Sequence, residues 1–168
     1  MSKVLAAAAR AFEETLAELR LPEDSPELRD PKTLGRRAAL MAAAELAWKG
    51  HLGPLFEMEQ AKVVLGVGSR QAVSDLARRG RLLALDGSGG RKLYPAFQFG
   101  RGGRPFPEIP RVLRLFAGAV ETPYTIASWF VTPQDVLDGE TPVTWMRSRR
   151  EPELLLEAAR RAAARLAQ

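Results

Sequence analysis

The stretch "GVGSRQAVSDLARRG", Gly66 to Gly80, decides how the rest of the chain is read. Two early glycines open it, and Ser69 stands where a hydroxyl caps a helix N-terminus. From there Val73, Leu76 and Ala77 fall on one helical face. Arg70, Ser74 and Arg78 recur at i, i+4 and i+8 on the opposite face, with Gln71 beside them. Gly80 supplies the left-handed residue that ends such a helix. Upstream, "FEMEQAKVVLG" predicts a helix over Glu57 to Leu65. Downstream, "RLLALDGSGGRKLYP" predicts strands over Leu82 to Leu85 and Arg91 to Tyr94 around a turn rich in Gly, Asp and Ser.

Helix, glycine turn, helix, hairpin is the order of a winged helix-turn-helix, a fold class that is mainly α with a small β-wing. The charge distribution points the same way. The 168-residue chain carries +5, and the segments 1–50 and 105–168 each balance eight basic residues with eight acids. The whole excess falls in 51–104, where nine Lys and Arg meet only Glu57, Glu59, Asp75 and Asp86. A localised basic surplus is the footprint of a polyanion binder.

Outward from this centre the chain reads as helical. Lys3 to Leu21 and about Lys32 to Lys49 predict two helices, separated by the proline-rich "LPEDSPELRDP" and stopped by Gly50. They form an N-terminal extension over 1–50 suited to packing or dimerisation. The binding module follows over 51–104. "FGRGGRPFPEIP" reads as a connecting segment, and 105–168 as a small helical domain. Short helices are expected over Arg111 to Ala117 and Tyr124 to Phe130. Thr141 and Pro142 cap and open another, and an amphipathic helix begins at Pro152.

A major groove about 12 Å wide admits one helix whose N-terminal side chains reach base edges. Arginine pairs twice with guanine and glutamine with adenine, so Arg70 and Gln71, then Ser74 and Arg78, form the expected reader, with Ser69 reaching bases or phosphates. Arg79, Arg81, Arg91, Lys92, Arg101 and Arg104 suit phosphates.

Other chemistries find little support. The chain has no cysteine and one histidine, His51, so thiolate and histidine-built metal sites are not expected. "GVGSRQ" lacks the third glycine of a dinucleotide fingerprint, and "DGSGGRK" lacks the ending of a phosphate-binding Walker loop. The carboxylates of "PQDVLDGE" read as a solvated turn, and no residues assemble into an acid, a base and an oxyanion donor. The expectation is a protein without enzymatic activity or cofactor. "MSKVLAAAARAFEETL" lacks the plan of a signal peptide, and no stretch is apolar enough for a membrane span, so the expected compartment is the cytoplasm.

"GVGSRQAVSDLARRGRLLALDGSGGRKLYPAFQF" is similar to the DNA-binding half of antitoxins of the Xre/MbcA/ParS type. "RPFPEIPRVLRLF", "YTIASWFVTPQDVLDGETPVTWM" and "LLEAARRAAARLA" resemble the toxin-binding domain of that family, with Gly139, Thr141 and Pro142 matching its Gly-x-Thr-Pro step. The turn "LGVGSRQAV" is one residue longer than the commoner form, Gly68 being the extra one. The resemblance covers about Phe56 to Ala167. It implies a type II antitoxin that represses its own operator DNA and neutralises a RES-domain toxin that destroys NAD⁺. It makes Trp145, Arg147, Arg160, Arg161 and Arg165 toxin-contact candidates. Two half-sites would favour a homodimer, or a higher hetero-oligomer with the toxin. Two other readings stand beside it. One is a stand-alone winged-helix regulator with a C-terminal dimerisation or ligand-responsive domain. The other is a structural interaction module whose basic face is incidental.

Overall fold

The computed structural model of the chain describes residues 3–18 and 30–167. Two compact units divide it, Met1–Ala44 and Glu45–Gln168. The first holds helix α1 (Lys3–Glu18) and the start of α2 (Pro31–Leu52). The predicted end of the first helix, 19–21, lies outside the described residues. Helix α1 buries none of its residues, and Val4, Leu5 and Phe12 remain exposed. Asp30 opens α2 by accepting the Thr33 amide at 3.2 Å and the Thr33 hydroxyl at 2.5 Å.

Gly50 does not stop α2. The helix continues to Leu52 and ends at Gly53, whose φ of 76° is left-handed. An interior glycine costs about 1 kcal/mol relative to alanine. Here tertiary packing overrides that cost: Leu52 is buried, and Trp48 packs on Tyr124 with ring centroids 5.0 Å apart.

The second unit contains β1 (Leu55–Phe56), α3 (Met58–Leu65), α4 (Arg70–Arg78), β2 (Leu85–Asp86) and β3 (Lys92–Pro95). Helices α5 (Glu108–Phe116), α6 (Pro123–Val131), α7 (Pro142–Arg147) and α8 (Pro152–Leu166) complete it. The architecture is mainly helical with one small antiparallel sheet in the order β1-β3-β2. Leu85 pairs with Leu93 and Asp86 with Lys92, which makes the expected hairpin, shifted by a few residues. Sequence reading missed β1, which pairs Leu55 with Pro95 and Phe56 with Tyr94 across nearly forty residues.

Local chemistry explains the helix starts. Helix α5 begins at Glu108, three residues before the predicted Arg111, because Pro110 sits in its first turn, where no amide donor is needed. Thr122 caps α6 and Thr141 caps α7, each followed by proline at the first helical position. Helix α8 buries Leu155, Leu156, Ala158, Ala159, Ala162 and Ala163 along one stripe.

Two apolar clusters hold the unit together. A small one joins Ala61, Val73, Leu82 and Tyr94. The larger runs without interruption from Leu52, Leu83, Leu85, Leu93 and Phe97 through α5 and α6 to α8. Residues 105–168 therefore share a core with the hairpin, where the sequence reading placed a boundary at 104/105. "FGRGGRPFPEIP" is likewise more than a connector. Phe99 bridges Pro105, the Gly100 amide donates to Arg104 at 2.9 Å, and Gly103 lies against the end of α3. The carboxylates of "PQDVLDGE" are solvent-facing, while Leu137 between them is fully buried and Asp138 and Glu140 hold Arg150.

Candidate nucleic-acid interface

Helix α3 starts on a capping box, with the Glu57 amide donating to Gln60 Oε1 at 2.9 Å. It stops at Gly66, whose φ of 66° lets the Val67 amide return to the Lys62 carbonyl at 3.2 Å. Four residues, Gly66 to Ser69, then make the turn into α4. Ser69 caps as the sequence predicts, accepting the Ala72 amide at 3.2 Å. Gly68 has no left-handed φ, and a Cβ added there meets nothing within 4 Å. Gly68→Ala should therefore fold normally and gain about 0.4–1 kcal/mol by restricting the unfolded chain. A loss of stability in urea titration would show that the turn needs glycine.

Val73 is fully buried in the small cluster, with Leu76 and Ala77 partly buried beside it, so the predicted inward face is the observed one. Arg70, Gln71, Arg78 and Arg79 are exposed. Arg81, just past the left-handed Gly80, is exposed too. Ser74 is half-buried and, with Arg78, Asp86, Lys92 and Tyr94, lines a cleft of about 520 Å³ between α4 and the hairpin.

The four acids of the basic segment are all engaged. Glu59 takes Arg70 and Lys62, each at 2.6 Å. Lys62 first, then Arg70, holds the Glu59 carboxyl below its ordinary range. Asp75 takes Arg78 at 2.7 Å and Gln71 at 3.1 Å, and Arg78 is the main reason its carboxyl is also held low. Asp86 pairs with Lys92, and Glu57 with Arg91 at 3.1 Å. Arg91 also donates to the Ser88 carbonyl and hydroxyl, so its guanidinium ties the hairpin tip to the start of α3. The sequence marks Arg91 and Lys92 as suited to phosphates and gives no sign of these ties. Arg79 and Arg81 enter no ion pair among the described residues, which leaves them the more available cations.

Three further contacts fix the hairpin. The Tyr124 hydroxyl donates to the Asp86 carbonyl at 3.0 Å. Tyr94 is buried in the small cluster, and burial pushes its phenol up from the ordinary value. Gln98 is fully buried, and sequence reading missed it. Its Oε1 accepts the Leu83 amide at 2.7 Å, and its Nε2 donates to the Leu83 and Pro95 carbonyls at 3.0 and 3.1 Å.

The toxin-contact candidates separate. Trp145 is 3% exposed, its indole N–H donates to the Glu151 carbonyl at 2.9 Å, and Arg150 lies 3.9 Å above its ring. Trp145 is therefore a core residue and not a surface contact. Arg147, Arg160, Arg161 and Arg165 are exposed. Arg160 and Arg161 both pair with Glu157, on the side of α8 away from its buried stripe. His51 sits inside the last turn of α2, with Nε2 2.9 Å from the Ser128 hydroxyl. The described residues hold no cluster of three or more metal-ligating side chains and no helix long and apolar enough to cross a membrane.

Comparison with known proteins adds one similarity. The NMR structure of Rv2175c superposes with a TM-score of 0.49 and 22% sequence identity, covering 68% of this chain and 79% of that one. No protein-family model and no curated protein matches the chain.

Proposed function

We propose that the chain binds duplex DNA as a winged helix-turn-helix regulator, with α4 in the major groove and the β2–β3 hairpin against the backbone. One observation carries this reading. Helix α4 turns Arg70, Gln71 and Arg78 to solvent beside an anchored hairpin, within the only segment that holds excess positive charge. The ion pairs of Arg70 and Arg78 are exposed and therefore weak, and a phosphate or guanine edge competes for them.

Arg70→Ala should cost about 1–3 kcal/mol against the preferred site and relax preference at one base pair. Fluorescence anisotropy on a panel of singly substituted duplexes measures it. Uniform weakening on every duplex would remove Arg70 as a base reader. Replacing Arg79 and Arg81 together by alanine should weaken all sequences alike and lower the slope of log K against log salt by roughly two. An unchanged slope would place both residues away from the phosphates.

An operator with two half-sites would bind a homodimer. The antitoxin reading adds a RES-domain toxin on the C-terminal helices. It is supported by the resemblance at Gly139, Thr141 and Pro142 and by the exposed Arg147 and Arg165. Co-purification with a RES-domain partner, lost when the exposed Arg160, Arg161 and Arg165 are replaced together by alanine, separates it from a stand-alone regulator.

A further inference from the structure

A second basic site lies outside α4 and the hairpin. A cleft of about 1110 Å³ is lined by Arg101 and Arg104 on one side and by Arg147, Arg149 and Arg150 on the other. Glu108 is the single acid among its lining residues, and with Arg150 paired to Asp138 and Glu140 four arginines remain against one carboxylate. Phe106 and Met146 contribute apolar surface between them.

The arginines differ in what they do. Arg150 is committed to the protein: it pairs with Glu140 at 2.6 Å and Asp138 at 3.3 Å and stacks on Trp145. Arg101, Arg104, Arg147 and Arg149 make no side-chain hydrogen bond or ion pair among the described residues, and Arg147 and Arg149 are exposed. Both sides of the cleft are held firmly. Gly103, between Arg101 and Arg104, packs so closely on the Val64 carbonyl that a Cβ would lie 1.8 Å from its oxygen. Arg149 terminates α7 with a φ of 52°, a conformation that favours glycine. A long cationic side chain thus occupies a position where the backbone alone would choose none.

We propose that this cleft binds a phosphate-bearing ligand through Arg104, Arg147 and Arg149. The chemistry selects phosphate over a single carboxylate for two reasons. The planar fork of arginine donates two parallel hydrogen bonds to phosphoryl oxygens, and all five cations here are arginine. A surplus of this size also calls for a ligand with more than one negative charge. The ligand is either a free phosphate compound or the backbone of nucleic acid. The site stands on its own residues and does not depend on base reading by α4.

The test uses the full chain, pyrophosphate as the probe, and backbone amide resonances as the readout. Pyrophosphate should shift the amides of Gly100 to Arg104 and Arg147 to Arg150 in a saturable way. Arg147→Ala combined with Arg149→Gly should weaken binding by about tenfold or more, since each removes a charge-assisted bond. Glycine suits the left-handed φ at 149, so the variant keeps its fold, which its unshifted core resonances verify. Adding duplex DNA then separates the sources. Displacement of pyrophosphate assigns the cleft to backbone phosphate, and retention assigns it to a free phosphate compound. The proposal is overturned if pyrophosphate leaves these amides unmoved or if the double variant binds it as tightly as the parent chain. It is equally overturned if a triglutamate peptide binds the cleft as well as pyrophosphate does.

Discussion

Gln98→Leu should lower unfolding stability by about 4 kcal/mol, although the two side chains are close in volume. The cost comes from three backbone groups. The Leu83 amide, the Leu83 carbonyl and the Pro95 carbonyl all use the Gln98 carboxamide, and Gln98 itself is sealed from solvent. Leucine fills the space and satisfies none of them. Each stranded buried group costs about 1–3 kcal/mol, far more than the hydrogen bond itself gains. The loss has a place as well as a size. Leu83 leads into β2 and Pro95 ends β3, so the hairpin loses the clamp at its base. Hydrogen exchange at Leu83 should quicken well beyond what global destabilisation explains. A loss of unfolding free energy below about 1 kcal/mol in urea titration would show that water or a rearranged backbone replaces the clamp.

Gly103→Ala should cost about 3 kcal/mol, against about 1 kcal/mol for Gly102→Ala next to it. Both glycines are left-handed, with φ of 76° and 80°, so both substitutions carry the same backbone penalty. They differ in surroundings. A Cβ on Gly102 meets nothing within 4 Å, whereas one on Gly103 falls 1.8 Å from the Val64 carbonyl oxygen. That oxygen belongs to the backbone of α3 and cannot rotate aside. The loop must lift from the helix instead, carrying Arg101 and Arg104 with it. Paired denaturation curves test the difference, and equal losses at both positions would refute the close approach.

Much of the local structure was legible because its causes are local. Ser69, Thr141 with Pro142, and Gly80 sit within a few residues of the helix ends they shape. The 3.6-residue period put Val73 inside and Arg70 and Arg78 outside without knowledge of what covered Val73. The same locality explains the misreadings. Gly50 and Pro110 carry breaker signals that hold on average. Here the burial of Leu52 and a first-turn position set them aside.

The sequence alone determined a helical chain with one hairpin and a basic centre, since periodicity, capping and charge are properties of neighbours along the chain. Only the tertiary structure decided which cations remain available, because Glu57 and Arg91 meet across thirty-four residues. It also decided that Trp145 is core and that Gln98 clamps the hairpin, since burial depends on what the rest of the chain places around a residue. No pattern of spacing carries that information.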